Sequence, residues 1–299
     1  MKNILVLLAS PARPTLDDGT VQAIVEVLRS TGATVGTPDW LAPGIACDLP
    51  YDSSPRGGEP MDMGMTGLDA VTVPAANRRK RLLVADMEST MIENEMLDEL
   101  ADFLGLREKI AGITARAMNG EIDFEAALKA RVELLKGLPV STLDEAAKRI
   151  EYMPGGATLV ATMKKHGAYC ALVSGGFTYF TKIVRERLGF DFDAANTLDI
   201  DGSALAGTVG LPILGKEAKL STLQRLCGER GLGVGDAITV GDGANDLPML
   251  QAAGHAGGLG VAFHAKPIVA AQVPARIRNG DLTALLYLQG YRRSDFIER

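Results

Sequence analysis

Two apolar runs in this chain, about 150 residues apart, each end on a carboxylate. The first is Arg81-Leu-Leu-Val-Ala-Asp86-Met-Glu88-Ser-Thr90, and the second is Ala237-Ile-Thr-Val-Gly-Asp242-Gly-Ala-Asn245-Asp246. Short, bounded apolar runs predict buried strands. Strands that alternate with helices predict a parallel sheet covered on both faces. In open α/β sheets ligands bind at the C-terminal strand ends, so Asp86 and Asp242 are expected to meet at one edge. Carboxylates gathered there suit a hard cation such as Mg2+, which takes few carboxylates together with water and phosphate oxygens.

With 299 residues, 46% hydrophobic and 23% charged, the chain can build one large or two ordinary domains around a buried core. A net charge of -6 argues against nucleic acid as a partner, since that affinity comes from Lys and Arg. No apolar run approaches the ~20 residues of a membrane span, so no membrane partner is expected. The opening Met1-Lys-Asn-Ile-Leu-Val-Leu-Leu-Ala fits a first strand better than a signal peptide. Cys47, Cys170 and Cys227 are widely spaced and odd in number, which indicates neither a disulfide framework nor a zinc site. A reducing cytoplasm is the expected compartment.

Residues 3–8 predict a strand, 21–30 a helix, and 33–37 another short strand. From about 41 to 74 the chain is rich in Pro, Gly, Asp and Met, which predicts a loose part of a small domain or a linker. A boundary is expected near residue 76, dividing a small N-terminal α+β region (1–76) from a larger unit (77–299). Four helices are expected at 94–104, 107–120, 124–136 and 142–150, the last capped by Ser141 or Thr142. Four short helices between two strands suggest an inserted cap at about 94–152. The α/β alternation then resumes: helix 156–166, strand 168–173, helix 177–188, and a hairpin over 196–209 turning at Asp201-Gly202. Helices at 219–230, 246–253 and 282–289 and strands at 237–241 and 258–263 complete a Rossmann-like core.

Asp86 and Glu88 lie two apart and can share one face at a strand end. A carboxylate can attack phosphorus, and a second carboxylic acid can protonate the leaving oxygen and later activate water. Leu172-Val-Ser174-Gly175-Gly176-Phe177 predicts a strand ending in a tight turn that opens a helix, where a hydroxyl and free N–H groups can hold an anion. Lys216 and Lys219 precede or open the next helix, and a lysine there can neutralise phosphate charge. Gly210-Leu-Pro212-Ile-Leu-Gly215-Lys216 matches the start of a phosphate-cradling loop. Glu217 follows instead of Ser or Thr, however, and Pro212 removes an N–H the cradle needs.

These elements, in this order, resemble the haloacid dehalogenase-like phosphatases, and within them the phosphoserine phosphatases. The resemblance covers about residues 80–280 and extends to Glu95, Met118, Phe124 and Arg131 in the helical stretch. It implies that Asp86 is nucleophile and Mg2+ ligand, that Glu88 is general acid/base and lends its backbone carbonyl to the metal, and that Asp242 completes the metal site. Ser174, Gly175 and Lys219 would hold the phosphoryl group, with Asn245 and Asp246 in support. Glu95 would meet the substrate's amino group, Arg131 its carboxylate, and Met118 and Phe124 would close the pocket. The implied activity is hydrolysis of O-phospho-L-serine to L-serine, the last step of serine biosynthesis. The family commonly carries Asp where Glu88 stands. Phosphoryl transfer to homoserine, or action on another small phosphorylated metabolite, is the alternative within the family; a non-catalytic amino-acid sensor is the alternative outside it. The N-terminal region resembles the small ACT-type sensors attached to many such enzymes. A homodimer is allowed by this reading.

Overall fold

The computed structural model describes residues 1–52, 67–118 and 121–298. The chain opens with β1 (Asn3–Ala9), α1 (Asp18–Ser30), β2 (Thr34–Val35), β3 (Asp39–Ala42), β4 (Ala46–Asp52) and β5 (Leu68–Pro74). These strands make an antiparallel sheet in the order β2-β4-β1-β5, with β3 also paired to β4. Alternate residues of β1 serve two layers, as the two-residue period of a strand requires. Leu5 and Leu7 pack with Val21, Ile24, Val25 and Leu28 of α1, while Val6 and Leu8 join the main core. α1 starts at Asp18, earlier than expected, because Asp17 Oδ1 caps it by accepting from the Thr20 N–H at 2.7 Å.

The stretch 41–74, expected to be loose or a linker, instead carries β4 and β5 and the end of β3; residues 53–66 lie outside the described part. Pro50 breaks the strand pattern in sequence but costs the sheet only one donor. Its carbonyl still accepts from the Gly36 N–H at 2.8 Å. This sheet is also tied to the rest of the chain. Asp69 of β5 accepts from the backbone N–H groups of Arg278, Asn279 and Gly280 at 2.9–3.0 Å. Arg78 bridges Asp48 to the Tyr287 and Leu288 carbonyls.

Next come β6 (Leu82–Ala85), α2 (Met96–Asp102), α3 (Arg107–Met118), α4 (Phe124–Glu133), α5 (Ser141–Ala147) and α6 (Gly156–Lys165). They are followed by β7 (Tyr169–Phe177), α7 (Thr178–Leu188), β8 (Phe192–Asn196), β9 (Leu198–Asp201), β10 (Ala204–Val209) and α8 (Lys216–Glu229). The chain ends with β11 (Ala237–Gly241), α9 (Leu247–His255), β12 (Leu259–Phe263), α10 (Pro267–Ala270), β13 (Ala275–Ile277) and α11 (Ala284–Leu288). The second sheet is parallel, in the order β13-β12-β11-β6-β7-β8. All four residues of β6 are buried, two on each face. Leu82 and Val84 pack with Leu223 and Leu226 of α8 and Met249 and Leu250 of α9; Leu83 and Ala85 pack with Leu159, Val160, Phe180 and Val184 of α6 and α7. β6 and β11 are neighbours, with Ala85 opposite Val240, so the residues that follow them, Asp86 and Asp242, leave the sheet at the same edge.

Helices α2 to α5 stand between β6 and β7. The chain enters and leaves them side by side: Ile92 pairs with Tyr152, and the Glu93 N–H donates to the Glu151 carbonyl at 2.8 Å. The β9–β10 hairpin turns at Gly202, as the sequence predicts, and packs on these helices; the Gly137 N–H donates to the Leu205 carbonyl at 2.9 Å.

Several expectations need correction. α5 begins at Ser141 with Val140 as its N-cap residue and no side-chain cap, so neither Ser141 nor Thr142 caps it. α4 stops at Glu133 instead of continuing to Lys136. Ser174-Gly175-Gly176 is not a turn: β7 stays extended through Phe177, and α7 starts only at Thr178. α8 begins at Lys216, which places Lys219 in its first turn. β13 and α10, three and four residues long, were too short to register in the sequence pattern.

Candidate active site

Asp86 is the first residue beyond β6, and its N–H still donates to the Val240 carbonyl of β11 at 3.0 Å. Its side chain is therefore fixed at the mouth of the sheet. Lys219 reaches the same point from the first turn of α8: Nζ lies 2.6 Å from Asp86 Oδ1 and 2.5 Å from Asp246 Oδ1. All three side chains are buried. Asp246 is held in turn by the Gly243 N–H, which donates to Oδ2 at 2.9 Å. Asp242 follows β11, and Lys266 Nζ stands 3.4 Å from its Oδ2.

Asp86, Asp242 and Asp246 each offer a carboxylate oxygen, all within 4.8 Å of one another. Burial raises the Asp86 pKa well above the usual carboxylate range, and the charge of Asp246 adds to the rise against the pull of Lys219. Asp242 is pushed up to about 6, first by burial and then by Asp246, with Lys266 opposing. Burial disfavours the Lys219 charge, but Asp246 and Asp86 overcome it and hold the ammonium protonated. Three carboxyls thus share one buried lysine. An all-oxygen donor set of this kind fits a hard divalent cation such as Mg2+.

Glu88 sits on the other side of the mouth. Its Oε1 accepts from the Met96 N–H at the start of α2 at 2.8 Å. Its Oε2 lies against Gly176, where an added Cβ would come within 2.7 Å of that oxygen, so the absent side chain is what leaves room for the longer acid. Burial, and then the neighbouring charge of Glu95, pushes the Glu88 carboxyl up to about 8. An acid with that pKa holds its proton at neutral pH and can give it up. Ser174, buried on β7, accepts from the Gly176 N–H on Oγ at 2.9 Å.

From the helices, Phe124 at the start of α4 comes down on Gly175 and Gly215. Arg131, also on α4, donates from Nε to the Ala127 carbonyl at 3.2 Å and from a terminal nitrogen to Thr114 Oγ1 at 3.4 Å. Burial lowers its pKa, while Glu88, Glu95 and Asp98 hold its charge in place. Glu95 accepts from Ser89 Oγ at 2.9 Å. Asn245 lies in the turn between Asp242 and Asp246, its Oδ1 close over Gly243. Met118 closes α3, and its side chain lies outside the described residues.

Asp86, Lys219, Asp242 and Asp246 are thus brought together, with Glu88, Ser174 and Gly175 beside them. Lys266 was missed in the sequence. It follows β12 at the same edge, so the strand-end rule that singled out the acids could have found it. Asn196 was also missed, and a lone Asn at the end of a short strand gives no signal.

A parallel α/β sheet with a lysine-paired aspartate at its C-terminal edge fits several chemistries, and comparison with known proteins gives the class. The model of the haloacid dehalogenase-like hydrolases matches residues 83–251, more than half of the chain, and the chain belongs to that family. A phosphoserine phosphatase of Streptomyces coelicolor is 41% identical over 231 residues, which are 77% of this chain and 55% of that protein. The chain thus spans little more than half of that relative's length. A haloacid dehalogenase family hydrolase of Salmonella enterica serovar Typhi matches with a TM-score of 0.83 and 29% identity over 96% of this chain and 97% of its own. A phosphoserine phosphatase solved as a phospho-aspartyl intermediate analogue matches with a TM-score of 0.64 and 37% identity, covering 70% of this chain and 98% of its own.

Proposed function

We propose that this chain hydrolyses O-phospho-L-serine to L-serine and phosphate, the last step of serine biosynthesis, through an aspartyl-phosphate on Asp86. The observation that carries the reading is the buried Asp86–Lys219–Asp246 contact at a strand end, faced by a Glu88 carboxyl pushed up to about 8. In the first half, an Asp86 oxygen attacks phosphorus and the bond to the serine oxygen breaks. Glu88 gives its proton to that oxygen, and serine leaves. In the second half, Glu88 takes a proton from water, whose oxygen attacks the phosphoryl group, and Asp86 is released with phosphate. Lys219 stays charged throughout and offsets phosphoryl charge. A Mg2+ held by Asp86, Asp242 and the Glu88 backbone carbonyl would supply further neutralisation of phosphoryl charge.

Ser174 and Gly175 bind the phosphoryl oxygens, with Asn245 in support. Arg131 reads the substrate carboxylate, where a guanidinium can make two parallel bonds, and Glu95 reads the amino group. Phe124 and Met118 close the pocket against water. In this reading residues 94–152 work as a cap over a 77–299 core, 1–76 form an ACT-like regulatory region, and the enzyme works in the cytoplasm on a small molecule, as a monomer or homodimer. Among the described residues no helix is long and apolar enough to cross a membrane.

The test is phosphate release from O-phospho-L-serine with and without homoserine. Release that is independent of homoserine supports hydrolysis. Transfer of the phosphoryl group to homoserine at the expense of free phosphate would instead make the protein a phosphotransferase.

A further inference from the structure

Asn196 closes β8 and is 2% exposed, yet it has no part in the reaction drawn above. Its Nδ2 donates to the Gly175 carbonyl at 2.9 Å and to the Leu214 carbonyl at 3.3 Å. Its Oδ1 accepts from the Leu214 N–H at 2.7 Å. One side-chain amide therefore ties the end of β7, which carries Ser174, to the loop leading into α8, which carries Lys219. Phe124 seats on the joint: an added Cβ at Gly175 would lie 3.3 Å from its ring and one at Gly215 would lie 3.8 Å away.

The Gly175 carbonyl and the Gly176 N–H belong to one planar trans peptide and point in opposite directions. Holding the carbonyl toward Asn196 turns the N–H away from it, and that N–H donates to Ser174 Oγ at 2.9 Å. A hydroxyl oxygen that accepts one bond keeps its own O–H for another acceptor. The sequence of contacts thus leads from Asn196, through one peptide plane, to the direction of the Ser174 proton.

We propose that Asn196 is a positioning residue for phosphoryl transfer: it sets the 175–176 peptide so that the Ser174 hydroxyl donates into the phosphoryl site, and it keeps that strand end in register with Lys219. The role rests on the phosphatase reading but not on the identity of the alcohol that leaves.

A double-mutant cycle tests it, with p-nitrophenyl phosphate and phosphoserine as parallel probes. Asn196→Ala should lower kcat about tenfold or more on every probe that is turned over, without changing selectivity between probes, and by less than about threefold when Ser174→Ala is already present. Melting curves report whether each variant folds. Where Asn196→Ala does not, Asn196→Asp takes its place in the cycle, since it keeps the acceptor for Leu214 and removes the amide donor to Gly175. Losses that multiply across the two sites, or an unchanged kcat in the single variant, would overturn the proposal. Turnover of the aryl phosphate without turnover of phosphoserine would sink the substrate reading alone and leave the Asn196 cycle readable.

Discussion

Lys219 Nζ stands 2.6 Å from Asp86 Oδ1 with both side chains buried, so the proposed nucleophile and its counter-charge form one unit before any substrate arrives. The same ammonium holds Asp246 at 2.5 Å. Lys219→Met would leave two buried carboxylates without their cation. Breaking a buried pair in this way costs about 3–5 kcal/mol, and urea unfolding of the metal-free protein measures it. A loss below about 1 kcal/mol would mean the pair is solvated like a surface bridge.

Glu88 supports a pH prediction. Its pKa is raised from 4.5 to about 8, so its favourable protonated state is fully present below pH 4.5 and is lost as pH rises toward 8, while the unfolded chain has already ionised. Metal-free Glu88→Gln should therefore melt above the wild type by a margin that widens from pH 5 to pH 8. A margin that stays flat across this range would show that Glu88 is not desolvated as described. The same variant should turn over about 10²–10⁴-fold more slowly, the usual value of general acid–base help.

Arg131 lies on α4 within the field of Glu88 and Glu95. Arg131→Ala should cost about 2–4 kcal/mol in kcat/KM for phosphoserine and little for p-nitrophenyl phosphate, which has no carboxylate. Equal losses on both would mean the helices read something other than an amino acid.

Arg78 joins the N-terminal sheet to the core through Asp48, at 3.1 Å from a terminal nitrogen to Oδ1, and through two carbonyls near the end of α11. Burial raises the Asp48 pKa and Arg78 opposes that rise. Removing the guanidinium strands a buried carboxylate, so Arg78→Ala should lose about 3–5 kcal/mol of unfolding free energy. Unfolding followed by the fluorescence of Trp40, which lies on β3, reads the loss on that side of the joint.

The parallel core was legible because β6 and β11 are short, apolar but for Thr239, and followed by acids; their side-by-side pairing then joins residues 86 and 242. In the N-terminal sheet β1 and β2 were legible, but β3, β4 and β5 were not, because Pro50 and the glycines of 41–74 look like loop residues until the antiparallel partners of β4 are known. The extended course of Ser174-Gly175-Gly176 was hidden for a related reason. Small residues allow a turn, and it is the pairing of β7 with β8 and the Asn196 amide on the Gly175 carbonyl that hold a strand there. Asp86, Lys219 and Asp242 announced themselves by type and position, whereas Asn196 acts through backbone groups that every residue carries. Lys266 follows the end of β12 and meets Asp242 at the same sheet edge, so its position, and not its residue type, was the signal that could have marked it.

Acid quenching of a single turnover with radiolabelled O-phospho-L-serine tests the central claim most directly. Label should appear on the peptide that contains Asp86, be released by hydroxylamine as an acyl phosphate is, and be absent in Asp86→Asn. Phosphate released at full rate with no label on Asp86, or label on any other residue, would contradict it.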